Sequence, residues 1–219
     1  MKPMKISEAV VRRLPVYLQV LNDLTMRDVQ TVSSQELGSK LDLNPAQIRK
    51  DLAYFGDFGR KGIGYDVGYL IEKIRQILKL DQPLNVALVG AGNLGRALCN
   101  YNTYLKDNMK ITAVFDVHPS MVGASINGLT VLPMDKLKET IAERNIRIGI
   151  ITVPAPEAQN VADKFVEAGV DGILNFAPTI LRVQERVRIH YANFTTELMS
   201  LAYYLDEEGD KENDETIVD

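Results

Sequence analysis

Apolar side chains recur at helical spacing in the first eighty residues of the chain. A first stripe runs through residues 7–24 and predicts a helix that Ser7 can cap; its members are Val10, Val11, Leu14, Tyr17, Leu18 and Leu21. Pro15 lies inside this stripe and predicts a kink or a restart. A second stripe at positions 70, 71, 74, 77 and 78 predicts a helix over 67–80 that packs between domains.

Two shorter helices with well-marked starts are predicted between these stripes. Ser33 and Glu36 stand at capping-box spacing, which predicts a short helix ending near 38–41. Asn44 as the cap and Pro45 at the first helical position predict the start of a second helix, which ends at Gly56. A short helix, a tight turn and a second short helix form a helix-turn-helix pattern. The same spacing also fits a three-helix packing domain with solvated basic side chains.

Residues after Pro45 have the features of a DNA-recognition helix. Its first two turns carry Gln47, Arg49 and Lys50, whose side chains can bond base edges or phosphates. Its apolar stripe consists of Ile48, Leu52 and Phe55. Glycines at 56, 59, 62 and 64 then surround Arg60 and Lys61, which predicts a basic wing that lies against phosphates or the minor groove.

Beyond residue 84, short apolar runs alternate with helical stretches. Strands are predicted in LNVALV, KITAVFD (110–116), GLTVLP, IRIGIITVP, VDGILNFAP and RVRIHYANF. Helices are predicted after LNVALV, over 134–145 and over 156–168. This alternation is typical of an α/β fold with a doubly wound parallel sheet.

A dinucleotide-binding turn follows the first of these strands. Gly90, Gly92 and Gly95 have the GxGxxG spacing, with a strand before them and a helix after them. Gly90 permits the tight turn, Gly92 lets the backbone approach a pyrophosphate, and Gly95 lets the helix press on the strand. Asp116 ends the next strand, where an acid bonds the adenosine ribose, although a solvated strand end is the alternative. The absence of Arg and Lys from 117–123 favours NAD over NADP.

The walls of the predicted pocket come from TVPAPEAQ (152–159) and NFAPT (175–179), at the C-terminal ends of strands. Tyr101 and Phe176 have ordinary core packing as the alternative to a binding role. The full set predicted to contact the cofactor is Gly90, Ala91, Gly92, Asn93, Leu94, Gly95, Tyr101, Asp116, Val117, Val153, Pro154, Ala155, Phe176, Ala177 and Pro178.

Composition and charge define the class of protein and divide the chain. The apolar content and the absence of a long apolar run are typical of a soluble protein, and the N-terminus has no signal-peptide pattern. One cysteine, Cys99, allows no internal disulfide and favours a cytoplasmic protein; two separated histidines predict no metal site. Residues 1–80 carry a net charge of +4 and residues 81–219 one of −8. A linker is therefore predicted near 80–85, and the acidic end, 206–219, is predicted to be disordered.

No catalytic constellation is predicted beside the cofactor. A dehydrogenase needs an acid or base near the nicotinamide and a substrate region, yet only residues 195–205 and the acidic tail follow the last strand. The predicted fold binds a dinucleotide, but the remaining residues supply no recognisable catalytic site, so the residues alone leave open whether the protein is an enzyme or a sensor. A small NAD-dependent oxidoreductase with an N-terminal helical dimerisation region is the alternative, and an NAD-binding adaptor that contacts an acidic protein is a third possibility.

Taken together, the segments of residues 4–205 resemble the Rex family of bacterial redox-sensing repressors. The resemblance is carried, in this order, by RRLPVYL, SSQELG, QIRKDLAYFGDFGRKGIGYDV, GAGNLGRAL, FDVHPSMVG, TVPAPEAQ, ILNFAP and TELMSLAYYL. It implies a winged helix-turn-helix domain (1–80), a Rossmann domain (84–194) and a C-terminal helix (195–205) exchanged between the subunits of a homodimer. It also implies that NADH and NAD⁺ are regulatory ligands that are not consumed, that near-palindromic operator DNA is bound, and that NADH releases it.

The resemblance extends to individual residues. It implies that Tyr101 lies close to the nicotinamide. The residues predicted to contact DNA are Arg12, Arg13, Ser33, Pro45, Ala46, Gln47, Arg49, Lys50, Tyr54, Arg60, Lys61 and Gly62. Relatives have an arginine in the first helix and an aspartate before the exchanged helix that can pair across domains. Gln19 and Asn193 stand at those positions here, and a Gln–Asn hydrogen bond is weaker than an ion pair.

Overall fold

The computed structural model describes residues 6–54, 59–60, 64–102 and 109–214. The chain divides into two compact units, Met1–Pro83 and Leu84–Asp219. Within the described part of the chain, no helix combines the length and the apolar character that a membrane span requires.

The first unit is a winged helix-turn-helix, as the sequence predicted. Its elements are α1 (Glu8–Met26), β1 (Thr31–Val32), α2 (Ser34–Leu41), α3 (Pro45–Ala53), β2 (Gly59–Arg60), β3 (Gly64–Asp66) and α4 (Val67–Ile77). The three strands form an antiparallel sheet in the order β1-β3-β2. The β2–β3 hairpin forms the wing, and its connecting residues 61–63 lie outside the described part.

Helix α1 begins where the sequence predicted. The Ser7 side chain accepts a hydrogen bond from the Val10 amide, and Pro15 is accommodated within one helix of 19 residues. Val11 departs from the predicted stripe because its side chain is exposed; the buried face is completed by Leu24 instead.

The turn between α2 and α3 is tight because Gly38 lets the chain approach its own helix. A Cβ on Gly38 would lie 2.6 Å from the Leu43 carbonyl oxygen. Asp42 takes a left-handed conformation at the end of α2, where short polar side chains are tolerated. The capping box of Ser33 and Glu36 forms at the start of α2, with hydrogen bonds of 3.1 and 2.7 Å.

The second unit contains a Rossmann-type sheet. Its elements are β4 (Leu84–Val89), α5 (Asn93–Tyr101), β5 (Met109–Asp116), β6 (Ser125–Ile126), β7 (Leu129–Pro133), α6 (Leu137–Glu143), β8 (Ile148–Ile151), α7 (Ala155–Glu167), β9 (Gly172–Asn175), β10 (Arg188–Tyr191) and α8 (Phe194–Asp214). The strand order is β10-β9-β8-β4-β5-β7-β6, parallel except for β6. The sheet reverses its order beside β4, and ligands bind such folds at this point.

Both faces of the sheet are covered, so alternate residues of β4 enter different cores. Val86 and Leu88 pack in the cluster that contains Cys99 of α5. Ala87 and Val89 pack in the larger cluster, which contains residues of α6 and α7. This two-sided burial explains why the strands read as continuous apolar runs.

Three features of the second unit differ from what the sequence predicted. The helix predicted over 134–145 is a 3-10 turn at Met134–Lys136 followed by the shorter α6. The short antiparallel β6, joined to β7 by the left-handed Asn127 and Gly128, was not predicted. Helix α8 starts at Phe194 and continues to Asp214 rather than ending at 205, so residues 206–214 of the predicted disordered tail are helical; glutamates in this stretch are good helix formers.

Gly149 of β8 leads to a first testable prediction. A Cβ there would lie 2.5 Å from the ring of Phe165, whose side chain is fully buried and cannot yield easily. Gly149→Ala should therefore overpack the core and lower the free energy of unfolding by about 1–3 kcal/mol, measured from the urea midpoint and slope.

Gly172→Ala is the matched control for this experiment. Gly172 pairs with Ile148 on the neighbouring strand, and an added Cβ would meet its nearest atom at 3.7 Å, which is ordinary contact. Equal stability of the two variants would contradict the packing described for Gly149.

Candidate functional site

Of the three glycines in the turn after β4, Gly92 is the one that leaves room for a ligand. A Cβ on Gly90 would lie 2.8 Å from the backbone of Thr152, and one on Gly95 would collide with the Gly90 carbonyl oxygen. By contrast, a Cβ on Gly92 would meet no atom within 4 Å. Gly92 also precedes α5 without any side-chain cap, so the first amide groups of α5 remain available to a phosphate.

Asp116 lies at the C-terminal end of β5 and touches the glycine turn. Its Oδ2 accepts a hydrogen bond of 2.6 Å from the Ala91 amide, and its Oδ1 accepts one of 2.8 Å from the His118 amide. Each carboxylate oxygen can accept more than one hydrogen bond, so Asp116 can hold the turn in place and still accept from a ribose hydroxyl.

A cleft of about 230 Å³ brings part of the predicted cofactor set together. Of that set, the cleft contains Gly90, Gly92, Asp116, Val117, Val153 and Pro154. Because ligand pockets typically measure roughly 300–1,000 Å³, this cleft has room for only part of a dinucleotide.

Other members of the set lie elsewhere in the unit. Ala177 and Pro178 line a separate cavity with residues of β10 and the start of α8. Phe176 packs partly buried against the α5 side of the core, and Tyr101 is exposed at the end of α5. Ala91 is buried, whereas Asn93 and Leu94 are exposed in the first turn of α5, and Ala155 begins α7.

Several residues outside the predicted cofactor-contact set also shape the cleft, two of them within the predicted wall segment 152–159. Thr152 supports the glycine turn, because its hydroxyl donates toward the carbonyl oxygens of Val89 (3.0 Å) and Gly90 (2.8 Å). Further lining residues are Met134 and, on α7, Glu157, Asn160, Val161 and Lys164. On α7, Asn160, Val161 and Lys164 follow Glu157 of the TVPAPEAQ motif at the spacing of one helix face. This spacing was the signal that could have identified them.

Helix α3 carries five of the twelve predicted DNA contacts. Ala46, Arg49 and Lys50 are exposed, and Pro45 and Gln47 are half-buried. The Arg49 Nη1 donates a hydrogen bond of 2.9 Å to the Ser34 Oγ, so this guanidinium lies beside the N-terminus of α2. Ser33, in the predicted set, caps that same helix.

The remaining predicted DNA contacts differ in their exposure and in whether their side chains are already paired within the protein. The guanidinium of Arg12 pairs with Glu8 one turn earlier at an exposed position, and Tyr54 is half-buried at the end of α3. Arg13 is engaged inside the unit, where it forms an ion pair of 2.5 Å with the buried Asp51. Arg60 belongs to β2 of the wing, whereas Lys61 and Gly62 lie outside the described residues.

Helix α8 presents an apolar face that is exposed within the described part of the chain. Phe194, Leu198, Leu201 and Leu205 recur at spacings of four and three residues and are 48–75% exposed. The Asn193 side chain caps this helix, since its Oδ1 accepts from the amides of Thr195 (3.0 Å) and Thr196 (3.3 Å).

Neither a metal centre nor a reactive thiol is found in the described ranges. No group of three or more His, Cys, Asp or Glu residues there could hold a metal ion. Burial raises the pKa of the Cys99 thiol to about 11, so it is protonated at neutral pH.

Comparisons with known proteins match both units. A family described as "Putative DNA-binding protein N-terminus" matches residues 5–53, and one described as "CoA binding domain" matches residues 81–179. The redox-sensing transcriptional repressor Rex of Brevibacillus brevis is 62% identical over 201 residues, covering 92% of this chain and 97% of that protein. Rex of Syntrophobacter fumaroxidans is 47% identical, covering 94% and 98%.

Solved structures extend the match to the fold of the whole chain. RSP, a Rex-family repressor solved with β-NAD⁺ and operator DNA, is 36% identical with a TM-score of 0.87, covering 98% of this chain and 100% of that chain. RSP solved with β-NADH is 36% identical with a TM-score of 0.85, covering 96% and 99%. This chain therefore belongs to the Rex family of redox-sensing transcriptional repressors.

Proposed function

We propose that this chain is a repressor that binds operator DNA as a homodimer and leaves the operator when NADH binds. The observation that carries the proposal is the presence, in one chain, of a winged helix-turn-helix unit and a Rossmann unit with an open glycine turn. The relatives that match nearly the whole chain are repressors, so the alternative of a small oxidoreductase is not favoured. NADH and NAD⁺ act as regulatory ligands and are not consumed.

The cleft of the Rossmann unit supplies the contacts for a dinucleotide. The free amides of α5 bind the pyrophosphate beside Gly92, and Asp116 accepts hydrogen bonds from the adenosine ribose. A 2′-phosphate would place its charge next to the Asp116 carboxylate and would be repelled. These contacts are common to the oxidised and reduced forms, so they give affinity without redox discrimination.

Discrimination between NADH and NAD⁺ comes from the nicotinamide end. The oxidised ring carries a positive charge and the reduced ring is neutral, and burying an unpaired charge in an apolar site is costly. A difference of about 100-fold in affinity corresponds to roughly 2.7 kcal/mol. We assign this end of the ligand to Tyr101 and to the walls formed by the Ala155 and Phe176 segments.

The exposed face of α8 supports the homodimer. Its apolar side chains need a surface to bury against, and a second copy of the chain supplies one when the helices are exchanged. Twofold symmetry then places two α3 helices and two wings on the two halves of a near-palindromic operator. A repressor of this kind acts on bacterial DNA and is located in the cytoplasm.

The test of the function is a DNA titration under three conditions. The pure protein is added to a fluorescent, palindromic AT-rich duplex at fixed salt without ligand, with NAD⁺ or with NADH. We expect selective binding that NADH abolishes and NAD⁺ does not. If the protein ignores DNA in all three conditions and yet binds NADH, the repressor function is wrong and the oxidoreductase alternative becomes the better one.

Asp116→Ala tests the dinucleotide site. Loss of charged hydrogen bonds to the ribose costs about 1.5–3 kcal/mol, so NADH affinity measured by calorimetry should fall at least tenfold. DNA binding by the ligand-free protein should be unchanged. Glu167→Ala is the control, because it removes an exposed charge of the same sign outside the cleft. Unchanged NADH affinity in Asp116→Ala would show that the ribose lies elsewhere.

Arg49→Ala tests the recognition helix. If Arg49 reads a base, the variant should bind the operator more weakly by about 1–3 kcal/mol and should lose sequence preference at one position in each half-site. Lys40→Ala, which removes the same charge from an exposed position of α2, controls for a general loss of positive potential. Equal effects of the two substitutions would contradict base reading by Arg49 and would indicate that it contributes only positive charge near the phosphates.

A further inference from the structure

A buried carboxylate joins α1 to the recognition helix α3. Asp51 is fully buried, and three side chains donate hydrogen bonds to it. The Arg13 guanidinium binds both oxygens, at 2.5 and 2.8 Å. The Tyr17 hydroxyl donates at 2.6 Å to Oδ2, and the Gln47 Nε2 donates at 2.6 Å to Oδ1. We call Arg13, Tyr17, Gln47 and Asp51 the α1–α3 polar cluster.

The Asp51 carboxyl is ionised in this cluster. Burial alone would raise its pKa, but the hydrogen bonds from Arg13, Tyr17 and Gln47 and the charge of Arg13 hold the pKa below its ordinary value. Burial, together with the neighbouring carboxylate, raises the pKa of Tyr17, which therefore remains a donor at neutral pH. A buried ionised carboxylate is stable only when its oxygens are paired, as they are here.

The charge of Asp51 determines which way the Gln47 amide faces. An ionised carboxylate only accepts hydrogen bonds, so the amide must direct its nitrogen toward Asp51. Gln47 stands at the third position of α3 and is half-buried, and within the described residues its Oε1 accepts no hydrogen bond. The amide therefore keeps one acceptor, Oε1, and one remaining N–H for a partner outside the protein.

We propose that Asp51 is a positioning residue that fixes the Gln47 amide with its carbonyl oxygen toward the major groove, and so makes Gln47 select a base with an exocyclic amino group. The proposal rests on the DNA-binding function above. In the major groove such groups are the N6 amino group of adenine and the N4 amino group of cytosine, which share the donor chemistry that Oε1 requires. Adenine can use the remaining N–H as well, because its N7 accepts.

The physical advantage lies in removing the alternative orientation. An unanchored amide can rotate by half a turn and turn its nitrogen, with both N–H groups, toward the groove in place of Oε1. It could then donate to guanine O6 or thymine O4 without needing a base that has an amino group. Anchoring one N–H on Asp51 makes that rotation unfavourable, because it would set a carbonyl oxygen against the carboxylate. It also reduces the conformational entropy that Gln47 loses on binding.

The experiment measures discrimination at single base positions. The probe is a duplex selected from a random pool by the unmutated protein without ligand. Each adenine in turn is replaced by purine, and each cytosine by the analogue without its 4-amino group. We expect one position per half-site at which the replacement weakens binding about tenfold. The adenine and cytosine arms identify which base supplies the amino group.

Three variants connect that position to the α1–α3 polar cluster. Gln47→Ala and Asp51→Asn should both abolish the discrimination at the identified position, so that the natural and modified duplexes bind equally. Tyr17→Phe is the matched control: it removes another hydrogen bond from the same carboxylate but leaves the Gln47 contact, and it should keep the tenfold effect. A merely structural role of Asp51 would weaken binding to all duplexes alike in Asp51→Asn and would preserve the discrimination.

A measurement on the unmutated protein covers the case in which Asp51→Asn does not fold. One Gln47 side-chain amide hydrogen should show protection from exchange in NMR spectra, as expected for a hydrogen bond to a carboxylate. Rapid exchange of both hydrogens, or discrimination that survives in Asp51→Asn, would overturn the proposal. If the unmutated protein selects no duplex at all, the DNA-binding function itself has failed, which is a distinct result.

Discussion

The N-termini of α5 and α7 lack side-chain caps, and the proposed dinucleotide site depends on this. In the first unit, the side chains of Ser7, Ser33, Asn44 and Asp66 each cap a helix of their own. In the second unit, α5 follows Gly92 and α7 follows Pro154, and neither residue supplies a side-chain cap. Both residues border the cleft. Uncapped amide groups favour an anionic partner, so these two helix starts beside the cleft are suited to receive one. Helix α6 also lacks a side-chain cap, but it continues directly from a 3-10 turn.

In the DNA-binding unit, one carboxylate has two roles that are hard to separate. Asp51 draws Arg13 and Tyr17 of α1 onto α3 and thereby fixes the position of the recognition helix. It also accepts a hydrogen bond from Gln47, whose half-buried side chain borders the exposed surface of α3. Arg13, read from the sequence as a DNA contact, belongs to this cluster. A basic residue near a recognition helix is thus not always available to phosphates, since it can serve to neutralise a charge that the fold has buried.

Local signals predicted the parts of the structure that depend on local chemistry. The capping box at Ser33, the start of α3 at Asn44 and the turn at Gly90 follow from neighbours within a few residues. The Asp51 cluster could not be predicted because it joins two distant segments: Arg13 and Tyr17 lie 38 and 34 residues from Asp51. Within each segment, Arg13 and Tyr17, like Gln47 and Asp51, show only an ordinary helical spacing of four residues. The end of α8 was missed for another reason: its acidic composition suggested disorder, although extending a helix that has already started is far easier than nucleating a new one.

The binding of NADH and the binding of operator DNA are thermodynamically linked, and this linkage constrains how the repressor responds. If NADH lowers the affinity for operator DNA by some factor, the operator must lower the affinity for NADH by the same factor. Contacts that hold both redox forms equally, such as those of Asp116 and the α5 amides, set the concentration range of the sensor. They cannot distinguish NADH from NAD⁺, whereas release of the operator depends on the difference in ligand affinity between the DNA-bound and the DNA-free protein. In the proposed site, the redox selectivity therefore arises at the nicotinamide end of the ligand, where the charge of the ring differs.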